Sequence, residues 1–248
     1  MNFNRLLTVI IFLLAMAIAT QSAQAAEGHL RIITEMTAPA SIMAADGSLT
    51  GFGVEIVRAI QKEVGDDTVI EVMPWARGYR YLREIPGVML FPTTRTEIRE
   101  KMFHWVGPIA RLSWVFYGHV DKKYNIKSLD DAKKVSGIGV YRDDARAVFL
   151  ENKGFKNLEV VDDQATNFKK LKRHRLDLVA VSTLGIDSYL RKNKQFKGIF
   201  VPVFTFHNAD LYLAFSKGTE QGIINRWSKA FNKLEKKGDI EKILNKWK

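Results

Sequence analysis

The sequence contains no cysteine, and this absence excludes disulfide bonds, iron–sulfur clusters, zinc sites with thiolate ligands and thiol catalysis. It is also short of acidic residues, with 27 Asp and Glu against 38 Lys and Arg, so the formal charge is +11. Taken alone, that excess favours nucleic acid or an acidic surface as a partner. The composition is otherwise that of a folded globular protein, and 248 residues fit one large domain or two lobes.

Long apolar runs are missing except at the N-terminus. There Arg5 precedes an apolar run at Leu6–Ala19, and small residues follow at Ala23 and Ala25. This pattern predicts a signal peptide over residues 1–25. A membrane-spanning helix is less well supported, because the apolar run is shorter than the about 20 residues that span a bilayer. A lipid anchor would need a cysteine, so we expect a free protein in the periplasm. Export there argues against nucleic acid as a partner.

Short apolar strands alternate with amphipathic helices along the rest of the chain. The helix predicted over residues 53–64 is followed by Gly65, a typical C-terminal cap. Strands are predicted at 30–34, 68–73, 88–91, 112–117, 135–141, 158–161, 176–181, 199–203 and 211–215. The alternation predicts an α/β protein with largely parallel sheets. No Gly/Ser linker is present, so two lobes would be joined by ordered strands.

Catalytic and metal-binding motifs are missing as well. The sequence has no nucleophile elbow and no phosphate loop, and Arg142 stands where a dinucleotide fingerprint after Gly137 and Gly139 needs its third glycine. The histidines show no metal-ligand spacing; they are His29, His104, His119, His174 and His207. We therefore expect no catalytic residue, no metal and no cofactor.

Two arginines, Arg95 and Arg99, follow a buried strand together with Thr94 and Thr96. Hydroxyl and guanidinium groups at the carboxyl end of a parallel strand form a cradle for an anion, because arginine matches a carboxylate bidentately. In the alternative, Thr96 caps a helix, Glu97 and Arg99 form a surface pair and Arg95 is solvated. The residues alone leave both interpretations open.

Two further features have competing explanations. Trp75 and Arg77 follow a predicted strand and are suited to stack on a flat ligand group, although a tryptophan there is more often part of a core. The basic run at residues 169–175 is typical of a solvated helix face.

The order of several motifs resembles the family 3 extracellular solute-binding proteins. These motifs are LRIITE, DGSLTGFGVEIVRAI, Thr96-x-x-Arg99, HWVGP and the ending KGDIEKILNKW, and the resemblance covers residues 28–248. It implies a two-lobed type II periplasmic-binding-protein fold, in which each lobe has a central mixed sheet flanked by helices and two strands cross the hinge. Lobe 1 would comprise residues 26–111 and 212–248, and lobe 2 residues 112–208.

The resemblance also implies a function. A monomeric protein of this kind closes on a small polar solute, here a carboxylate-bearing, amino-acid-like one, and delivers it to an inner-membrane ABC permease. Arg99 falls on the arginine that clamps the ligand carboxylate, Thr94 on the hydroxyl position before it, and Glu35 on the acidic position after the first strand. Tyr141 and Arg142 would contribute from lobe 2.

The sequence departs from the family pattern at two places. Asp143 and Asp144 replace a Gly/Ser/Thr-rich turn, and they either repel an anion unless Arg142 or Arg146 offsets them, or cap the next helix. Ser182 stands where the family usually has the acid that holds an α-amino group.

Two other functions fit the same lobes. One is an enzyme, such as a dehydratase of a cyclic carboxylic acid, with Glu35 or Asp143 as its general acid or base. The other is a sensory receptor that presents its closed form to a membrane kinase. We expect a binding protein and not an enzyme.

Overall fold

A computed structural model describes residues 30–247, so the predicted signal peptide lies outside the described residues. The strands are β1 (Arg31–Thr34), β2 (Ile42–Met43), β3 (Leu49–Thr50), β4 (Ile70–Val72), β5 (Val88–Thr94), β6 (Phe103–His119), β7 (Ile138–Tyr141), β8 (Leu158–Val161), β9 (Leu178–Ser182) and β10 (Phe200–Ser216). The helices are α1 (Phe52–Val64), α2 (Trp75–Glu84), α3 (Glu97–Glu100), α4 (Leu129–Ala132), α5 (Ala145–Asn152), α6 (Gln164–Lys172), α7 (Thr183–Lys192), α8 (Gln221–Lys236) and α9 (Asp239–Lys246), with a 3-10 turn at Lys194–Phe196.

Eight strands form one mixed sheet in the order β4-β1-β5-β10-β6-β9-β7-β8, and β2 pairs with β3 in a separate hairpin. The outer strands are parallel: β1 lies between β4 and β5, and β7 lies between β8 and β9. The central strands β6 and β10 are antiparallel to each other and to their outer neighbours. The predicted parallel α/β units are therefore joined through an antiparallel centre.

Two lobes flank the central pair of strands. We call the half around β1, β4 and β5, with α1–α3, α8 and α9, lobe 1, and the half around β7–β9, with α4–α7, lobe 2. Each has its own apolar core: Phe52, Phe91 and Trp227 are buried in lobe 1, and Phe116 and Leu150 in lobe 2. The predicted boundaries fall inside β6 and β10 and stay predictions.

Local sequence signals explain where several helices end. Gly65 follows α1 with φ 71°, a left-handed conformation that glycine adopts without a side-chain clash, and its amide donates to Gln61. Gly238 (φ 76°) likewise separates α8 from α9. Ser128 and Thr96 cap α4 and α3 with their hydroxyl groups, and for Thr96 this is the capping role that the sequence left open.

The long central strands are the main difference from the sequence prediction. Residues 199–203 and 211–215 were expected to form separate strands, but both belong to β10, which has 17 residues. Its polar stretch at 207–210 stays extended because it pairs with residues 111–114 of β6. Between residues 30 and 247, no helix is both long enough and apolar enough to cross a membrane.

Candidate functional site

A cavity of about 420 Å³ lies between the two lobes. Four residues that line it directly follow or end parallel strands: Glu35 after β1, Thr94 at the end of β5, Tyr141 at the end of β7 and Ser182 at the end of β9. Ligands of α/β proteins bind at this edge because the loops there are free of the sheet. With Trp75 and Arg99, the cleft gathers six of the predicted site residues.

Arg99 is buried in the wall of the cleft and is only 4% exposed. Its guanidinium lies over the rings of Tyr79 (4.7 Å) and Trp75 (5.3 Å). It donates two long hydrogen bonds, both to backbone carbonyls, at 3.4 Å to Thr94 and 3.3 Å to Asp143. No carboxylate of residues 30–247 lies within ion-pair distance of it, which excludes the alternative of a surface pair with Glu97.

Asp143 connects the lobes through its backbone and not through its side chain. Its φ is 56°, and its carbonyl accepts from the indole Nε1 of Trp75 at 3.0 Å as well as from Arg99. The Asp143 side chain is exposed. A second bridge runs from the hydroxyl of Tyr141 to Glu35 at 3.4 Å. The lobes are thus in contact across the cleft.

Asp144 both caps a helix and lines the cleft, so the two interpretations of this position are compatible. Its carboxylate accepts from the Arg146 amide at the start of α5 and forms a bidentate ion pair with the Arg146 guanidinium at 2.5 and 3.0 Å. Burial raises the pKa of Asp144, but the charge and hydrogen bonds of Arg146 outweigh burial and hold that pKa below its usual value. Arg146 therefore offsets the Asp144 charge.

Glu35 has an unusual protonation state. Burial first, and then the charge of Asp144, raise its pKa to about 8, although Arg146 and the Tyr141 hydroxyl act in the opposite direction. The same burial, with the nearby Glu35 carboxyl, raises the pKa of Tyr141. At neutral pH Glu35 is therefore mostly uncharged. The buried charges of the cleft are then Arg99 and the Asp144–Arg146 pair, which leaves one net positive charge.

Besides Asp143, whose side chain is exposed, three predicted site residues do not line the cavity. Arg95 forms a bidentate ion pair with Glu100 at 2.5 and 2.7 Å and does not line the cavity. Arg142 is exposed and pairs with Asp162 at 2.6 Å, and the Asp143 charge makes only the smallest contribution to its raised pKa, so Arg146 and not Arg142 offsets Asp144. Arg77 is exposed on α2. Arg77, Arg95 and Arg142 therefore do not belong to the group of predicted residues that the fold brings together in the cleft.

Three residues that line the cleft are not among the site residues predicted from the sequence. Gln164 begins α6, lines the cavity, and has a buried side-chain oxygen and nitrogen without a hydrogen-bond partner among residues 30–247. Asp162 and Asp163 line the cavity beside it. All three follow β8, a parallel strand, so the strand-end rule that found Thr94 would also have indicated this loop.

Comparison with known proteins decides the family. The family model of the bacterial extracellular solute-binding proteins, family 3, matches residues 30–248. The chain belongs to this family. Among curated relatives, the arginine-binding extracellular protein ArtP of Bacillus subtilis is 23% identical over 81% of this chain and 78% of its own length. The L-cystine-binding protein TcyJ of Escherichia coli K12 is 23% identical over 84% and 78%.

Solved structures show the fold of this family 3 protein. A histidine kinase sensor domain described as similar to periplasmic binding proteins superposes with a TM-score of 0.80 at 20% identity, covering 90% of this chain and 97% of its own. The predicted two-lobed, type II α/β fold is confirmed.

Proposed function

We propose that this protein captures a small, carboxylate-bearing, amino-acid-like solute in the cleft and delivers it to an ABC importer. The observation that carries the proposal is the buried Arg99 guanidinium, which has no carboxylate partner among residues 30–247. A buried charge is costly unless it is paired, whereas a bidentate carboxylate satisfies the planar fork of an arginine. A ligand carboxylate would supply the missing partner.

The surroundings of Arg99 support an anionic ligand group. The Trp75 and Tyr79 rings fix the plane of the guanidinium by cation–π contact. Its hydrogen bonds at 3.3 and 3.4 Å are near the long limit, so a closer, charged acceptor would replace them with a gain in free energy. Glu35 is mostly neutral and Asp144 is paired with Arg146, so neither of these carboxyl groups opposes the ligand carboxylate.

The rest of the ligand would have polar side chains of lobe 2 within reach, including two uncharged ones. Ser182 offers a hydroxyl that already accepts from the Gly185 amide at 3.1 Å, and Gln164 offers an amide that is free to donate and accept. The cavity volume of about 420 Å³ suits a solute of amino-acid size. Relatives named for arginine and cystine support an amino-acid-like ligand without deciding which one.

Capture would involve hinge motion about β6 and β10, which both run through the two lobes. In the closed arrangement described here, the Trp75–Asp143 and Tyr141–Glu35 contacts join the lobes. Residues 1–25 would direct the protein to the periplasm and be removed there.

The test is a thermal-shift screen of residues 26–248, refolded from denaturant to remove bound ligand. The panel holds the L-amino acids, cystine, polyamines and organic acids. We expect a carboxylate-bearing compound to raise the melting temperature, since ligand binding stabilises the folded state. Arg99→Gln should weaken affinity for it by about 2–5 kcal/mol, or roughly 30-fold to several thousand-fold.

The matched control is Arg95→Gln, four residues away and outside the cleft. It should keep the affinity of the parent, because Arg95 pairs with Glu100. If Arg99→Gln binds as tightly as the parent, Arg99 does not hold the ligand. Recovery of the bound compound in a changed form would favour the enzyme alternative. Ligand uptake by vesicles that contain the cognate permease tests delivery.

A further inference from the structure

Two histidines and an aspartate meet on lobe 2, outside the cleft. The rings of His119 and His174 lie 4.2 Å apart, centroid to centroid, and the His119 Nδ1 lies 3.4 Å from a carboxylate oxygen of Asp121. One nitrogen from each histidine and one Asp121 oxygen all lie within 4.8 Å of one another. None of these residues lines the cavity between the lobes.

The fold creates this cluster from distant parts of the chain. His119 is the last residue of β6 and is 8% exposed, while Asp121 lies in the turn that follows. His174 lies in the connection from α6 to β9 with φ 55°. β9 pairs with β6, and Gly118 lies opposite Leu178. The C-terminal end of β6, with His119, therefore lies beside the segment that leads into β9, with His174. The spacing along the sequence gave no sign of this meeting.

We propose that His119, His174 and Asp121 bind a transition-metal dication of the Zn²⁺, Ni²⁺ or Cu²⁺ class, with water completing the coordination. Imidazole nitrogens with one carboxylate suit these metals, whereas Mg²⁺ and Ca²⁺ prefer sites made of oxygen atoms. The absence of cysteine is no obstacle, since nitrogen and oxygen ligands are sufficient.

The distances are close to those of a tetrahedral site. Metal bonds of 2.0–2.1 Å place neighbouring ligand atoms about 3.3 Å apart. The His119–Asp121 separation of 3.4 Å already matches this value. The exposed side chains of His174 and Asp121 can rotate to close the remaining gap. The Nδ1 of His119 accepts only a long bond, at 3.3 Å from the Asp121 amide, so the metal would displace a weak partner.

The charges around the cluster indicate how a metal would be held. Arg173 and Arg175 flank His174 and are exposed, so the general field is positive. Lys122 forms an ion pair with Asp177. Attraction at a distance is therefore weak, and the site would depend on direct bonds from imidazole. This favours metals with a high affinity for nitrogen and disfavours Mg²⁺ further.

The competing explanation is an ordinary ion pair between Asp121 and protonated His119, with His174 merely adjacent. It predicts no metal affinity above that of scattered surface histidines. The two explanations are separated by titrating Zn²⁺ into residues 26–248 made without a histidine tag, with calorimetry as the readout. We expect one equivalent to bind, and we expect Mg²⁺ and Ca²⁺ to give no saturable heat.

His174→Asn is the decisive variant, because asparagine tolerates the left-handed backbone at this exposed position and folding should be kept. It should weaken Zn²⁺ binding by at least about tenfold. Asp121→Asn should also weaken Zn²⁺ binding, by a smaller factor. The control His104→Asn removes a histidine of lobe 1 and should bind as the parent does. Co²⁺ should give visible absorption bands in the parent that His174→Asn abolishes.

Two outcomes would overturn the proposal. One is a parent protein that binds no stoichiometric Zn²⁺. The other is a His174→Asn variant that binds Zn²⁺ as tightly as the parent, which would place the metal elsewhere. Neither outcome bears on ligand capture in the cleft, which is measured with metal-free protein.

Discussion

The raised pKa of Glu35 predicts that the stability of the ligand-free protein falls as pH rises. Glu35 is partly exposed in the cleft and titrates near pH 8 in the folded state, against an ordinary value of 4.5. Below about pH 4.5 the carboxyl is protonated in both the folded and the unfolded states and has no effect. Between the two values only the folded state holds the proton, so folding is progressively disfavoured. Above about pH 8 the full penalty is present.

The size of this effect follows from the gap between the two pKa values. A gap from 4.5 to about 8 corresponds to at most about 5 kcal/mol, at about 1.4 kcal/mol per pH unit. Glu35 keeps some contact with solvent, so water lowers the penalty. We expect about 2–3 kcal/mol in practice.

Glu35→Gln isolates this contribution, since the amide has the shape of the protonated carboxyl and can still accept from Tyr141. Unfolding by urea, followed by tryptophan fluorescence from pH 5 to 9 at constant ionic strength, gives the free energy of each protein. The two should be about equally stable near pH 5. The variant should become more stable by about 2–3 kcal/mol near pH 9.

The control is Glu84→Gln, which removes an exposed carboxyl of lobe 1 that does not line the cavity, measured over the same pH range. A constant difference between Glu35→Gln and the parent from pH 5 to 9 would refute the reasoning. In that case the Glu35 carboxyl ionises at its ordinary pH, and it would add a negative charge to the cleft at neutral pH.

Two further predictions concern lobe 2. Asp144→Asn keeps the helix cap but leaves the Arg146 guanidinium without its carboxylate, so it should lower the free energy of unfolding by about 3 kcal/mol in urea. Asp163→Asn, a capping aspartate without such a pair, should lower it by under about 1 kcal/mol. Ser182→Asp keeps the cap to Gly185 and adds a carboxylate to the cleft. It should raise the affinity for an α-amino acid relative to its α-hydroxy analogue by about tenfold, or 1.4 kcal/mol; equal effects on both compounds would contradict this.

Arg95 and Arg99 show where prediction from the sequence stops. Both follow β5, both are arginines, and the strand-end rule applies to both. Only the packing of α3 distinguishes them, because it turns Arg99 towards Trp75 and leaves Arg95 against Glu100 and the ring of Tyr212. That orientation depends on contacts between distant elements, which local periodicity does not encode.

Positions fixed by local backbone chemistry can be predicted from the sequence. Gly65 ends α1 in a left-handed conformation, as the sequence predicts, because a helix end depends on a few neighbouring residues. The crossing strands β6 and β10 were predicted only in pieces, since their polar stretches are held extended by pairing with each other. The His119–His174 cluster also depends on long-range pairing, in this case between β6 and β9.

In the proposed function, the Asp143 carbonyl would couple ligand binding to the closed arrangement of the lobes. It accepts from Trp75 at 3.0 Å and from Arg99 at 3.3 Å, so the arginine proposed to hold the ligand also contributes to a contact between the lobes. A carboxylate that takes the Arg99 donors would replace the longer, neutral bond with a stronger charged one, while the Trp75 bond can remain. A ligand would therefore replace the Arg99–Asp143 hydrogen bond with its own contacts and leave the Trp75–Asp143 hydrogen bond in place. An uncharged ligand could not make that exchange with comparable gain, which explains in physical terms why a carboxylate is the expected recognition group.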